Sequence, residues 1–227
     1  MLRLHQRLAA AAELLTPYRK TVDVGTDHAY LPAFLVLQNR VKDIIACDIG
    51  EQPLENARRT LEAYGIEDKI ELRISDGLKN VPPGRAEEIS ICGMGGTLIS
   101  EILANAGWVK NKNVHLVLQP MTHSEDVRSF LSENGFIIDR ELCVFDNKRA
   151  YCCISAYWTG NTEKFPAGYL YFGELLNSQQ PPAQAYIKKQ IDRVKKRTAA
   201  LSKAGRFPEE KQLLESVISY YESRKNT

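Results

Sequence analysis

No stretch of this chain approaches the roughly 18 consecutive apolar residues that a membrane-spanning helix requires. Arg3 and Arg7 lie near the start, but no continuous apolar segment follows them. No secretory leader is therefore expected, and a cytoplasmic protein without a membrane partner is. Cysteine is scarce and unpatterned: Cys47, Cys92, Cys143, Cys152 and Cys153 form no CxxC pair, and each sits in an apolar or β-rich context. That excludes the usual zinc spacings and favours reduced core thiols, with no metal expected and Cys152 and Cys153 on opposite faces of one strand. The first glycine turn also lacks the three glycines of a dinucleotide loop, and no lysine follows it to hold a phosphate.

What is present, in 227 residues that are 44% hydrophobic, suffices for one domain or one domain with an appendage. An amphipathic helix is expected over residues 4–15, ended by Thr16-Pro17. Short apolar strands are expected at residues 21–24, 43–48, 69–75, 88–92 and 114–118. Helical segments alternate with them, one running from about 51 to 64 and closed by Gly65. Residues 136–145 and 150–158 read as a hairpin through Asp146-Asn147-Lys148. Such alternation followed by a hairpin predicts an α/β fold: a doubly wound, Rossmann-like, mostly parallel sheet whose last strand inserts antiparallel. After residue 160 the composition changes. Pro181-Pro182 is expected to break a helix over 168–177, and Ile187, Ile191, Val194, Thr198 and Leu201 then step by four and three. Leu213, Val217 and Tyr220 repeat that spacing, so a C-terminal α-helical coiled-coil hairpin is expected. The expected division is 1–160 and 161–227.

The most informative stretch is Val22-Asp23-Val24-Gly25-Thr26-Asp27-His28-Ala29-Tyr30-Leu31-Pro32. A β-branched run breaks at a glycine and enters acidic residues, the pattern of a chain turning beneath a cofactor. Asp23 and Asp27 would repel a phosphate but suit a cationic ligand such as S-adenosylmethionine. Gly25 lets the backbone pass close to it. Asp48, ending the second strand, can accept both ribose hydroxyls, and Asp76 with Gly77, after the third, offers a carboxylate to an adenine amine. Gly93-Met94-Gly95-Gly96 reads as a glycine-rich turn where a flat base could approach. An Asp/Asn-Pro-Pro-aromatic motif, used to hold exocyclic amines, is missing there, which points to a ring nitrogen such as adenine N1, whose attack needs positioning more than deprotonation. Gln119, after the fifth strand, could read a base edge, and His123 is expected in a loop.

Net charge is +2, yet residues 186–206 hold eight basic residues against the single acid Asp192. Lys188, Lys189, Arg193, Lys195, Lys196 and Arg197 therefore suggest a polyanion docking on that segment.

These motifs, together with Arg7-Leu8, Asp76-Gly77-Leu78 and Leu118-Gln119-Pro120, resemble the bacterial tRNA (adenine-22-N1)-methyltransferases, class I enzymes dependent on S-adenosyl-L-methionine. The resemblance covers essentially the whole chain. It implies a methyltransferase domain and a C-terminal coiled-coil domain, both engaging tRNA, and methylation at N1 of an adenine with S-adenosyl-L-homocysteine as product. It further implies that Gly25, Asp27, His28, Asp48, Asp76, Gly77, Gly93 and Met94 line the cofactor pocket, where the charge of Asp23 or Asp27 can, on the residues' own chemistry, meet the cofactor's amine. Arg7, Tyr30 and Gln119 would lie near the adenine, Asp27 orienting the base, and no oligomer is required. Two other readings stay open at this point: methyl transfer to a small molecule or protein with the hairpin used for dimerisation, and a non-enzymatic nucleotide- or RNA-binding module.

Overall fold

The computed structural model describes residues 2–225, so Met1, Asn226 and Thr227 at the ends of the expected divisions lie outside the described residues. The β-branched runs form the parallel strands β1 (Arg19–Val24), β2 (Val41–Asp48), β3 (Glu71–Ile74), β4 (Glu88–Gly95) and β5 (His115–Thr122). The helices that return the chain are α2 (Tyr30–Leu37), α3 (Glu51–Tyr64) and α4 (Gly96–Ala104), and α1 (Gln6–Leu14) precedes the first strand. Helix α5 (Ser124–Glu133) leads to the hairpin β6 (Phe136–Asp146) and β7 (Arg149–Trp158). Asn147 and Lys148 both have positive φ, 46° and 63°, the backbone of a two-residue turn whose twist matches the strands.

The sheet order is β3-β2-β1-β4-β5-β7-β6, with β7 antiparallel to both neighbours, as the sequence predicts. Strand alternation sends Ile44, Ala46, Val117 and Cys153 to one apolar face, under α1, α2 and α3. Val22, Ile45, Leu116 and Cys152 face the other, under α4 and α5. Cys152 and Cys153 thus do face opposite sides of β7.

Three local expectations need correction. The Gly93–Gly96 segment is not a turn: β4 continues through it to Gly95, with register shifts on either side of Met94, because its backbone still pairs with β5. Pro181 and Pro182 do not break a helix but open one, α7 (Pro181–Ala204), in whose first turn a missing N–H costs nothing. The seam of α8 (Pro208–Lys225) runs through Leu214 and Val217, both buried, whereas Leu213 is exposed. The C-terminal helical hairpin packs on the sheet. Ile187, Ile191, Val194, Leu201, Leu214 and Val217 share one apolar cluster with the strands, and the short helix α6 (Ala167–Phe172) packs between.

Candidate active site

The winding reverses at β1, which pairs with β2 on one side and β4 on the other, so a crevice opens at the carboxyl ends of these strands. The amides of Gly25 and Thr26 both donate to the Cys47 carbonyl, at 2.8 and 3.1 Å, and the Ser75 amide donates to the Asp48 carbonyl at 2.8 Å. The loops after β1, β2 and β3 are thereby tied together. Between residues 25 and 29 the backbone enters positive φ three times, at Gly25 (76°), Asp27 (43°) and Ala29 (51°). For the two residues with side chains this is strain of a kind concentrated at functional sites. Gly25 also leaves room for Met94: a Cβ there would overlap the Met94 methyl.

A cleft of about 450 Å³ results, lined by Arg7, Asp23, Gly25, Asp27, His28, Tyr30 and Gly93 from the expected set, and by His5, Leu8, Thr26, Leu31, Cys92 and Met121. Asp23 pairs in register with Ser90 and accepts its hydroxyl at 2.6 Å. Burial pushes the Asp23 carboxyl up to about 6, against the Ser90 and Thr26 hydroxyls and with help from Asp48. Burial, with Asp23 and Asp48 nearby, raises the Cys47 thiol to about 12, so it stays protonated. Asp27 lies 3.6 Å from His28 Nε2, and the His28 and Tyr30 rings stack at 5.2 Å and 13°. Arg7 Nε sits 3.4 Å from Asp146 Oδ2, with His5 Nδ1 3.8 Å from Oδ1 of the same buried carboxylate. In the sequence Asp146 stands only as a hairpin residue, and nothing local singles out His5. The available signal is topological: β6 runs parallel to β5, so its end reaches the same edge.

Other expected residues lie outside this cleft. Asp48 ends β2 and accepts its own loop's Gly50 amide at 3.0 Å, while the exposed Asp76 is paired with Lys79 at 2.5 Å. Gly77 has φ 57° and leaves space for Ile102, which would stand 2.9 Å from a Cβ. Gln119 does not follow β5 but lies within it, fully buried. Its amide Nε2 donates to the Pro120 carbonyl at 3.1 Å, while its Oε1 is buried without a partner.

The basic segment is not an unopposed cationic face. Lys188 pairs with Asp192 (3.0 Å), Arg193 with Glu125 (2.8 Å), Lys195 with Glu222 (3.3 Å) and Arg197 with Glu210 (2.7 Å), while Lys189 sits over the Tyr151 ring. A linear charge count includes Asp192 but misses Glu125, Glu210 and Glu222, because they arrive from α5 and α8. Of the six expected contacts, only Lys196 makes neither an ion pair nor a cation–π contact among the described residues.

A family model described as a methyltransferase domain matches residues 4–154. The chain belongs to that family. The tRNA (adenine(22)-N(1))-methyltransferase of Bacillus subtilis (strain 168) is 33% identical to this chain over 150 residues. That alignment covers 66% of this chain and 63% of the relative, so it spans a little under two thirds of the relative's length. The crystal structure of the B. subtilis M1A22 tRNA methyltransferase TrmK superposes with a TM-score of 0.83 at 27% identity, covering 100% of this chain and 99% of that one. Streptococcus pneumoniae Sp1610, in complex with S-adenosyl-L-methionine, gives 0.79 at 30% identity, covering 98% and 99%. The chain's own residues fit such a ligand: Asp23 and Asp27 supply negative charge for a cation, and Gly25 and Gly93 present backbone where side chains would obstruct. Among the described residues no group of three or more His, Cys, Asp or Glu is set to hold a metal ion, and no helix is long and apolar enough to cross a membrane.

Proposed function

We propose that the chain is an S-adenosyl-L-methionine-dependent tRNA methyltransferase acting on N1 of adenine 22. The observation that carries this reading is the strand-end cleft, acidic at Asp23 and Asp27 and flanked by an exposed ring stack, in a chain that aligns along its length with an m1A22 tRNA methyltransferase. When bound, S-adenosyl-L-methionine supplies an activated methyl group on a positively charged sulfur. The His28–Tyr30 stack offers a flat surface to the incoming base, and Asp27 orients it. Adenine N1 carries an in-plane lone pair, so no residue need remove a proton before attack. The fixed carboxylates of Asp23 and Asp27 stabilise positive charge as it passes to the base. Arg7, held by Asp146 beside Gly93, is placed to fix the nucleotide's orientation.

On this reading Asp48, Asp76, Gly77 and Met94 extend the cofactor-binding edge, residues 1–160 carry chemistry and residues 161–227 engage tRNA. The enzyme would work in the cytoplasm with its thiols reduced and without an obligatory oligomer. Purified protein incubated with tritiated S-adenosyl-L-methionine and an unmodified tRNA transcript should label adenine 22, located by nuclease mapping. Label in protein or a metabolite but not in RNA, or binding without transfer, overturns the reading.

A further inference from the structure

A second cavity, of about 420 Å³, opens beside the catalytic cleft. Met121 lines the cleft, and His123, two residues later on the same segment, lines this cavity. Its other walls include Glu125, Tyr171, Arg193, Arg197 and Leu214. Three contacts at one-turn spacing strap α7 to the start of α5. The Ser124 and Tyr186 hydroxyls lie 2.5 Å apart, Gln190 donates to Ser124 at 3.3 Å, and Arg193 donates to Glu125 Oε1 at 2.8 Å. The cavity therefore stands between fixed elements.

Two of its polar atoms are buried without a hydrogen-bond partner, Glu125 Oε2 and Arg193 Nε, although the other arms of the same groups are joined. An unpaired acceptor and an unpaired donor are each costly to bury, and a ligand carrying both a donor and an acceptor would satisfy them. The Arg193 guanidinium lies 5.4 Å from the centre of the Tyr171 ring, forming a flat wall. Arg197 is already paired with Glu210, so two acids balance two bases and the cavity does not suit a bare phosphate.

We propose that this cavity receives one unpaired nucleobase of the RNA substrate, close in the strand to the reactive adenine. The edge it fits is guanine-like, with ring and exocyclic N–H groups on Glu125, the keto oxygen on Arg193 and the ring beside the Tyr171–Arg193 stack. Single-stranded RNA is commonly read in this way, by stacking and by the edges of splayed bases. The proposal rests on the RNA reading above, and its failure is separable from failure of that reading.

The test uses the full chain and an unmodified tRNA transcript. Tyr171→Leu and Glu125→Gln should each raise KM for tRNA about tenfold, the scale of one lost base contact. Their kcat and their S-adenosyl-L-methionine Kd should stay within about twofold of wild type, and Tyr171→Phe should keep wild-type KM. Guanosine monophosphate, titrated into protein saturated with S-adenosylhomocysteine, should bind more tightly than adenosine monophosphate and lose that preference in Glu125→Gln. A photocrosslinker at Leu214 should label a nucleotide near the methylated adenine, which serves should a variant fail to fold. Unchanged KM in folded Tyr171→Leu and Glu125→Gln, a loss confined to kcat, or crosslinks only to helical stems would overturn the proposal. If wild type methylates no tRNA, the parent reading fails instead, and the nucleotide titration still decides the cavity's preference.

Discussion

Arg128 and Glu141 form an ion pair in which neither side chain reaches solvent: 0% and 3% are exposed, and the guanidinium donates to Oε1 at 2.7 and 2.8 Å. Burial works against the charge on Arg128, but Glu141 outweighs it and holds the guanidinium charged. The spare valences join three elements. Arg128 donates to the Leu170 carbonyl at 2.9 Å, and Glu141 Oε2 accepts the Glu174 amide at 3.1 Å. This pair thus ties α5 and β6 to the segment carrying α6, and through it the C-terminal helices to the sheet.

Removing one partner should leave an uncompensated buried charge. Glu141→Leu is expected to cost about 3–5 kcal/mol, and adding Arg128→Met should restore much of that loss. Urea unfolding monitored by circular dichroism checks this. A single-variant loss below about 1 kcal/mol would show that water already reaches the pair.

The raised Asp23 carboxyl makes a pH-dependent prediction. Its value is about 6 when folded against 3.8 for the free side chain, so the folded protein holds the extra proton between those values. Stability contributed at this position is therefore present at low pH and falls as pH rises from about 4 to 6, by about 3 kcal/mol in all. Asp23→Asn should be more stable than wild type above pH 6, with the advantage vanishing near pH 4, while binding S-adenosyl-L-methionine more weakly. Parallel urea midpoints across pH for the two proteins would expose any error in sign.

Gly25→Ala places a methyl group at φ 76°, where L residues are strained, and against the Met94 methyl. A stability loss of about 1–3 kcal/mol is expected, with S-adenosyl-L-methionine affinity reduced at least about tenfold by calorimetry. Met94→Ala in the same chain should recover part of the stability, because it removes the overlap. Wild-type affinity in folded Gly25→Ala would disprove close backbone approach at this turn.

For tRNA binding, the bases of residues 186–206 that make neither an ion pair nor a cation–π contact among the described residues (Lys196, Lys203 and Arg206) should matter more than the paired Lys188. Each phosphate contact removed from the first three should lower the slope of log affinity against log salt by about 0.7–0.9. Lys188→Ala should change it less, and S-adenosyl-L-methionine affinity should not change in any of them. Filter binding over a salt series gives the slopes, and equal slopes for all variants would refute a docking role for this face.

Local pattern made much of the molecule legible. The runs around Val22, Ile45 and Ile89 are β-branched and bounded by turn residues, and Gly65 sits in the left-handed cap of α3. Asn147-Lys148 turns the hairpin, and the seam of α7 keeps its helical spacing. The acidic glycine turn at Asp23–Asp27 was legible for the same reason: strand, turn and charge all lie within a few consecutive residues. Less could be read where neighbours in space are distant in sequence. Leu214 rather than Leu213 faces the core because α8 also packs on α6, and Gln119 is enclosed because β5 runs on past the expected end.

The sequence by itself determined the alternation of strands and helices, and with it the edge on which a ligand could gather, because hydrophobic period and turn chemistry act over a few residues. Only the tertiary structure decided that Asp146 meets Arg7, that Glu125, Glu222 and Glu210 pair with Arg193, Lys195 and Arg197 of the basic helix, and that Arg128 is buried against Glu141. Those pairings depend on strand order and helix packing, which bring together charges that no local window contains.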